Sequence, residues 1–272
     1  MSKKPYNVDE AKPRYSENLK TEQRANAVFN FMKEPRFIQK ILSESAITPR
    51  YNFEVIDYLK INFSKIAFPM TCFCDINLYK IKSHTSLYGE YGVAFDKEWA
   101  INNKIQPVHY VNIYSDMIKD FTTAYTGANK IDNLDNIYVE QLSNYMLSHL
   151  LYMKPLNGYM IKTADEDYKN FQDESEWRYI PNFSVINTDL DFIYGDTTNQ
   201  SQLNRYNDAL NMVDECKLKF TYKDIKYLIV PNCDERLNLI NFIMSLKEVQ
   251  NKIVKYELIS KIIVLSELRE DV

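Results

Sequence analysis

Apolar and polar positions follow several different periods along the chain. From Ala25, Val28, Phe31 and Met32 fall at helical spacing; Pro35 interrupts, and Phe37, Ile38, Ile41 and Leu42 resume the pattern. Two short helices are predicted there, with a third in "NFEVIDYL" after the Thr48-Pro49 turn. "IAFPMTCFCDI" is a continuous apolar run of strand length and reads as a buried strand. "NLYKIKSHTSLYG" returns to helical spacing, with Leu78, Ile81 and His84 on one face and Gly89 placed to end the helix at positive φ. "EYGVAF" is a second strand, in which Gly92 marks a bulge or a close backbone approach. "PVHYVNIY" is a third, with Pro107 at its start.

Residues 116–135 are polar and turn-rich. "IYVEQLSNYMLSHLLYM" then carries Tyr138, Leu142, Tyr145, Met146, His149, Leu150 and Met153 on one stripe, the clearest helix of the sequence. "EWRYIP" reads as a strand and "DTTNQSQLNRYND" as a surface loop or short frayed helix. "KLKFTYKDI" alternates like a half-buried strand, and "KYLIVP" is apolar throughout, hence more central. Asn232, with Glu235 three residues on, caps a helix "ERLNLINFIMSLKEV", and "KIIVLSEL" closes as a strand. This order predicts an α+β fold: a mixed, mainly antiparallel sheet with flanking helices. Residues 1–24 are expected to be a mobile polar arm, and 25–272 one domain whose portion 25–65 is helical.

Composition narrows the function classes. The net charge is −4, from 33 Lys+Arg and 37 Asp+Glu, so no strong basic footprint for nucleic acid exists. With 5 glycines, neither GxGxxG nor GxxxxGK[ST] occurs. No secretory leader opens the sequence and no apolar run reaches membrane-spanning length. Cys72, Cys74, Cys216 and Cys233 do not form a disulfide framework pattern in a chain this long. A cytoplasmic protein with reduced thiols is expected.

One long patterned stretch resembles a known family. The P-M-x-C-F-C-D-I run at Pro69 to Ile76, His84, Y-G-x-Y-G at Tyr88 to Val93, K-E-W at Lys97 to Trp99 and P-V-x-Y at Pro107 to Tyr110 are similar to the AbiGi family of abortive phage resistance proteins, usually described as the antitoxin component. "ESEWRYIP", "FTYKDIKYLIVPN" and "SKIIVLSEL" extend the likeness over roughly residues 50–270. Asn77 departs from the family's proline, which loosens a turn. The resemblance implies a role in bacterial defence against phage, with a toxin or other defence protein as partner and no cofactor. It supplies no chemistry, and no catalytic residue is carried over from it.

Chemistry has to be sought in the residues themselves. Glu174 and Glu176, on one strand, would point to the same face about 6.5–7 Å apart. A strand bearing cysteines, a helix, a glycine-marked strand and a late Glu-x-Glu come in an order similar to the ADP-ribosyltransferase fold. That likeness implies NAD as cofactor, Glu176 as catalytic acid beside a developing oxocarbenium ion, Glu174 as its helper, and Tyr88 or Tyr91 stacking on nicotinamide. Cys74, Asp75, His84, Tyr88, Tyr91 and Arg178 are then the candidate substrate contacts. The departures are plain: Cys72 to Asp75 stand where an Arg or His should grip the cofactor, and no Ser-Thr-Ser strand is present.

The structural alternatives are that the two acids are solvated, and that Arg178 pairs with a carboxylate across the sheet. Asp75 reads also as a helix cap, and the tyrosine–glycine stretch as a tight turn. Cys72 and Cys74, even with His84 or His109, lack a second ligand pair, so no metal is expected. His149 reads as a packed histidine, and Trp99 and Trp177 as packed against the sheet.

Overall fold

The continuous apolar run at 66–76 becomes the strand Lys65–Cys74, and the sheet is organised around it. The computed structural model describes residues 24–128, 137–159, 168–183, 186, 188–194 and 199–270. The polar arm expected over 1–24 lies, but for Arg24, outside them. The first half of Lys65–Cys74 pairs with Arg50–Val55 and Ile193–Tyr194, the second half with Glu176–Tyr179 and, at Cys74, with Ala27–Met32. Pro69 sits opposite Tyr51 where only Arg50–Val55 pairs, so its missing N–H leaves no second neighbour unsatisfied. Across the sheet the order is Ile262–Val264, Ile225–Val230, Tyr91–Asp96, Ala27–Met32, Lys65–Cys74, Glu176–Tyr179, Gln106–Pro107. All these pairs are antiparallel except Ile225–Val230 with Ile262–Val264. The fold is α+β, as the order of elements implied.

Strand parity sorts the core into two sides. Val28, Phe73, Val93, Phe95, Leu228 and Val230 meet Ile38 and Leu42 of the helix Pro35–Glu44, Trp99, and Leu239 and Ile243 of the helix Cys233–Ser245. On the other side Phe29, Cys74, Ala94 and Ile229 meet Ile81 and Leu265. That side continues as Ile66, Phe68 and Met70 under the helices Asp116–Ala128 and Ile137–Tyr152.

Several expectations are corrected. The portion 25–65 is not helical throughout: Ala27–Met32 and Arg50–Val55 are strands, and Asp57–Leu59 is a single 3-10 turn. Ala27–Met32 lies inside the sheet with both faces covered, so apolar residues occupy both parities and mimic helical spacing. Residues 116–128 form a helix on Ile118 and Phe121, although 116–135 reads as turn-rich. Of "KLKFTYKDI" only Leu218–Lys219 pairs as a strand of its own, with Ala46–Ile47, and its last residue, Ile225, already begins the strand Ile225–Val230. "DTTNQSQLNRYND" holds the helix Gln200–Leu210, started by a reciprocal capping box between Asn199 and Gln202. The helix Ile81–Tyr88 does end at Gly89 with φ 115°. Gly92 sits in regular pairing, not a bulge, and its missing side chain makes room for the Phe31 ring.

A Cβ on Gly89 would stand 2.1 Å from the Met32 carbonyl oxygen. Gly89→Ala is therefore expected to lower unfolding free energy by roughly 2–4 kcal/mol. Gly127, in the helix Asp116–Ala128, has nothing within 4 Å of its would-be Cβ. Gly127→Ala should raise stability by up to about 1 kcal/mol. Urea midpoints of the two variants test this; equal midpoints would mean the turn does not require glycine at 89.

Candidate functional site

Register brings the candidate acids together. Glu176 pairs with Cys74 and Arg178 with Cys72, while Glu54 pairs with Ile66 further along the same strand. Same-parity residues share a face, so Glu54, Glu176 and Arg178 point to one side. Arg178 is fully buried; its Nε donates to Glu176 Oε1 at 2.6 Å, and its Nη2 lies 3.0 Å from Glu54 Oε1. Its Nη1 donates to the Leu151 carbonyl at 2.9 Å, tying the sheet to the end of the helix Ile137–Tyr152. Lys154 arrives from the strand Met153–Pro155, which runs parallel to His109–Val111. Its Nζ donates to Glu176 Oε2 and Glu174 Oε2, each at 2.6 Å.

Contrary to the expectation from the sequence, Glu174 is not on the strand with Glu176. It ends the 3-10 turn Phe171–Glu174, and Ser175 between them takes a left-handed conformation, φ 43°. That kink turns both carboxylates onto Lys154. Glu174 Oε1 accepts from Lys169 Nζ at 2.9 Å and from the Tyr88 hydroxyl. The Glu176 N–H donates to the Tyr110 hydroxyl at 2.8 Å. Glu54, Glu174 and Glu176 thus face Lys154, Lys169 and Arg178, and the formal charges cancel.

The electrostatics follow. Burial pushes the Glu176 carboxyl up, but Arg178 and Lys154 outweigh it and hold the group well below the ordinary carboxylate range. Glu174 is likewise lowered, its burial overcome by Lys154 and Tyr88. Burial opposes the charge on Lys154, yet Glu176, Glu54 and Glu174 together raise its pKa. His84 is pushed down to about 4 by burial, so it is a neutral ring at pH 7, tilted against Phe31 and Tyr88. Burial raises the Cys72 and Cys74 thiols, so neither is a ready thiolate.

The structure gathers Glu174, Glu176, Arg178, Tyr88 and His84 in this cluster, with Cys74 opposite Glu176 in register. Tyr91 is not part of it. Its side chain packs with the Val93 and Phe95 side of the sheet, and burial with a hydrogen bond to Glu235 pushes its hydroxyl up to about 12. Asp75 does not cap a helix, since Asn77 holds that position before Leu78–Lys80; it is buried in an ion pair with Lys97 Nζ at 2.7 Å. Arg178 does pair across the sheet, with Glu54, and neither acid is solvated.

Glu54, Lys154 and Lys169 went unnoticed in the sequence, and Lys97 and Tyr110 stood there only as parts of the family-like motifs. Lys154 carried a signal: a lone cation directly after the apolar run Leu150–Met153 implies a buried charge that needs partners. Two surface depressions, one lined by Met244 to Lys255 and one by Asn103, Tyr179 and Lys217, include neither Glu174 nor Glu176. No group of three or more His, Cys, Asp or Glu is placed to hold a metal among the described residues.

Comparison with known proteins adds what the geometry does not. The family model described as "Putative abortive phage resistance protein AbiGi, antitoxin" matches residues 36–231. The "Abortive phage resistance protein AbiGi" of Lactococcus lactis subsp. cremoris is 34% identical over 252 residues, covering 83% of this chain and 99% of that protein. No solved structure matches.

Removing Lys154 leaves two buried carboxylates facing each other. Lys154→Met is expected to lower stability by about 3–5 kcal/mol, with Glu174→Gln restoring part of the loss in the double variant. The pH dependence should change sign. Native pKa values of Glu174 and Glu176 lie below their unfolded values, so their contribution is full above about pH 4.3 and fades as pH falls through the native values. Without Lys154 at least one acid binds a proton more tightly folded than unfolded. The variant should then be more stable at pH 5.5 than at pH 8, read by urea unfolding; a deficit independent of pH would overturn the account.

Proposed function

We propose, because the chain belongs to the AbiGi family of abortive phage resistance proteins, that it acts as the antitoxin-like component of an abortive-infection defence and works by engaging a toxin partner in the cytoplasm. The carrying observation is the family match over residues 36–231, whose description is an antitoxin. One feature of the chain supports a binding rather than a chemical role. Both Glu176 carboxylate oxygens face Arg178 and Lys154, so the acid nearest to a catalytic arrangement is held inside a charge-balanced cluster. Among the described residues no helix is long and apolar enough to cross a membrane.

The alternative, ADP-ribosyl transfer or NAD glycohydrolysis through Glu176 with help from Glu174, requires that carboxylate to face a sugar instead of two cations. Cys74, Asp75, His84, Tyr88, Tyr91 and Arg178 were its candidate substrate contacts. No observation favours it: Tyr91 lies on the opposite side of the sheet, and Asp75 is tied to Lys97.

Co-expression with the toxin encoded beside the gene tests the proposal. Growth arrest by that toxin should be relieved, the two proteins should co-purify, and the purified chain should leave labelled NAD intact. Persistent arrest despite soluble expression would sink the antitoxin reading. NAD turnover that Glu176→Gln abolishes would establish the alternative.

A further inference from the structure

The sequence holds three histidines, and the fold brings two of them together: His109 and His149 have ring centroids 5.7 Å apart, inclined at 46°. We propose that these two imidazoles form a site for one divalent transition-metal ion, zinc foremost, at the joint between the helix Ile137–Tyr152 and the parallel strands His109–Val111 and Met153–Pro155. Two imidazoles sharing an ion at about 2.0–2.1 Å from each nitrogen have ring centres roughly 5–6 Å apart, which fits this spacing. The positions are fixed by regular structure. His109 pairs in register with Met153, and His149 lies in the last turn of the helix that leads into that strand. Tyr145, one turn earlier, has its ring centroid 4.3 Å from that of His149.

The surroundings favour a cation of this class. The last turn of a helix presents carbonyl oxygens and the negative end of the helix dipole. His109 is exposed and His149 half-buried, so an ion can reach both rings and water can complete its coordination. Neither carboxylate nor thiol joins the two rings in a larger ligand group among the described residues. A donor set of imidazole nitrogen suits zinc, copper or nickel and offers little to magnesium or calcium, which prefer oxygen. The bound ion would staple the end of the helix to the start of the strand, so occupancy is expected to stabilise the fold.

The test uses the full chain without a histidine tag, stripped with a chelator and titrated with zinc chloride by calorimetry and thermal unfolding. One ion per chain should bind, Tm should rise with zinc concentration, and magnesium at the same concentration should leave Tm unchanged. His109→Gln and His149→Gln should each weaken zinc binding at least about tenfold. His109 is exposed, so its variant decides the matter even where the His149 variant folds poorly. Absence of zinc uptake by the wild-type chain, or uptake that survives both substitutions, would overturn the site.

Discussion

A charged group taken out of water must find an opposite charge, and the centre of this molecule is arranged around that requirement. Arg178, with no exposed surface, is answered by Glu176 and Glu54; Glu176 is shared with Lys154; Lys154 is shared with Glu174; and Glu174 is closed off by Lys169 and Tyr88. The chain of contacts joins the strands Arg50–Val55 and Glu176–Tyr179, the parallel pair beside them and the helix Ile81–Tyr88. Apolar contacts fix which faces meet but tolerate small slips. A network of matched charges tolerates few, since a one-residue shift of Glu176–Tyr179 would send Glu176 and Arg178 to the opposite side of the sheet, among Val28, Phe73 and Phe95 and away from Lys154. The network is therefore better understood as specifying the arrangement than as adding net stability, because desolvation offsets much of the attraction.

What the sequence made legible and what it hid follow from the same physics. Lys65–Cys74, Tyr91–Asp96, Ile225–Val230 and the helices at 81–88, 137–152 and 233–245 were all readable from their apolar period, several of them with a clear boundary signal such as Gly89, Pro231 or Asn232. Ala27–Met32 was misread because a strand covered on both faces loses its alternation. In the helix Ile137–Tyr152, period told which residues share a stripe but not which way it faces: Met146 and Leu150 are buried, while Tyr138 and Tyr145 of the same stripe lie in solvent. The site was legible only in part. Glu174, Glu176 and Arg178 stood out as a local pattern, but Glu54 and Lys154 are brought to them by strand pairing between distant segments, which no local pattern encodes, and Lys169 by the 3-10 turn Phe171–Glu174.

The family-like segments gain a physical meaning from this arrangement. C-F-C-D-I contributes Cys72, Cys74 and Asp75; Y-G-x-Y-G contributes Tyr88 and the turn at Gly89; K-E-W contributes Lys97, which pairs with Asp75 and lies over the Trp177 ring; P-V-x-Y contributes Tyr110; and E-S-E-W-R-Y contributes both acids and Arg178. Segments scattered along the chain converge on the two sides of one short strand, Glu176–Tyr179. A motif of mixed charged and aromatic residues is often read as a catalytic signature. Here each of the cations Lys97, Lys154, Lys169 and Arg178 answers a carboxylate, and Glu174 and Glu176 meet lysine and arginine instead of a substrate. Such a motif identifies the fold of a family with great specificity and yet leaves its activity to be sought elsewhere on the molecule, at its surface.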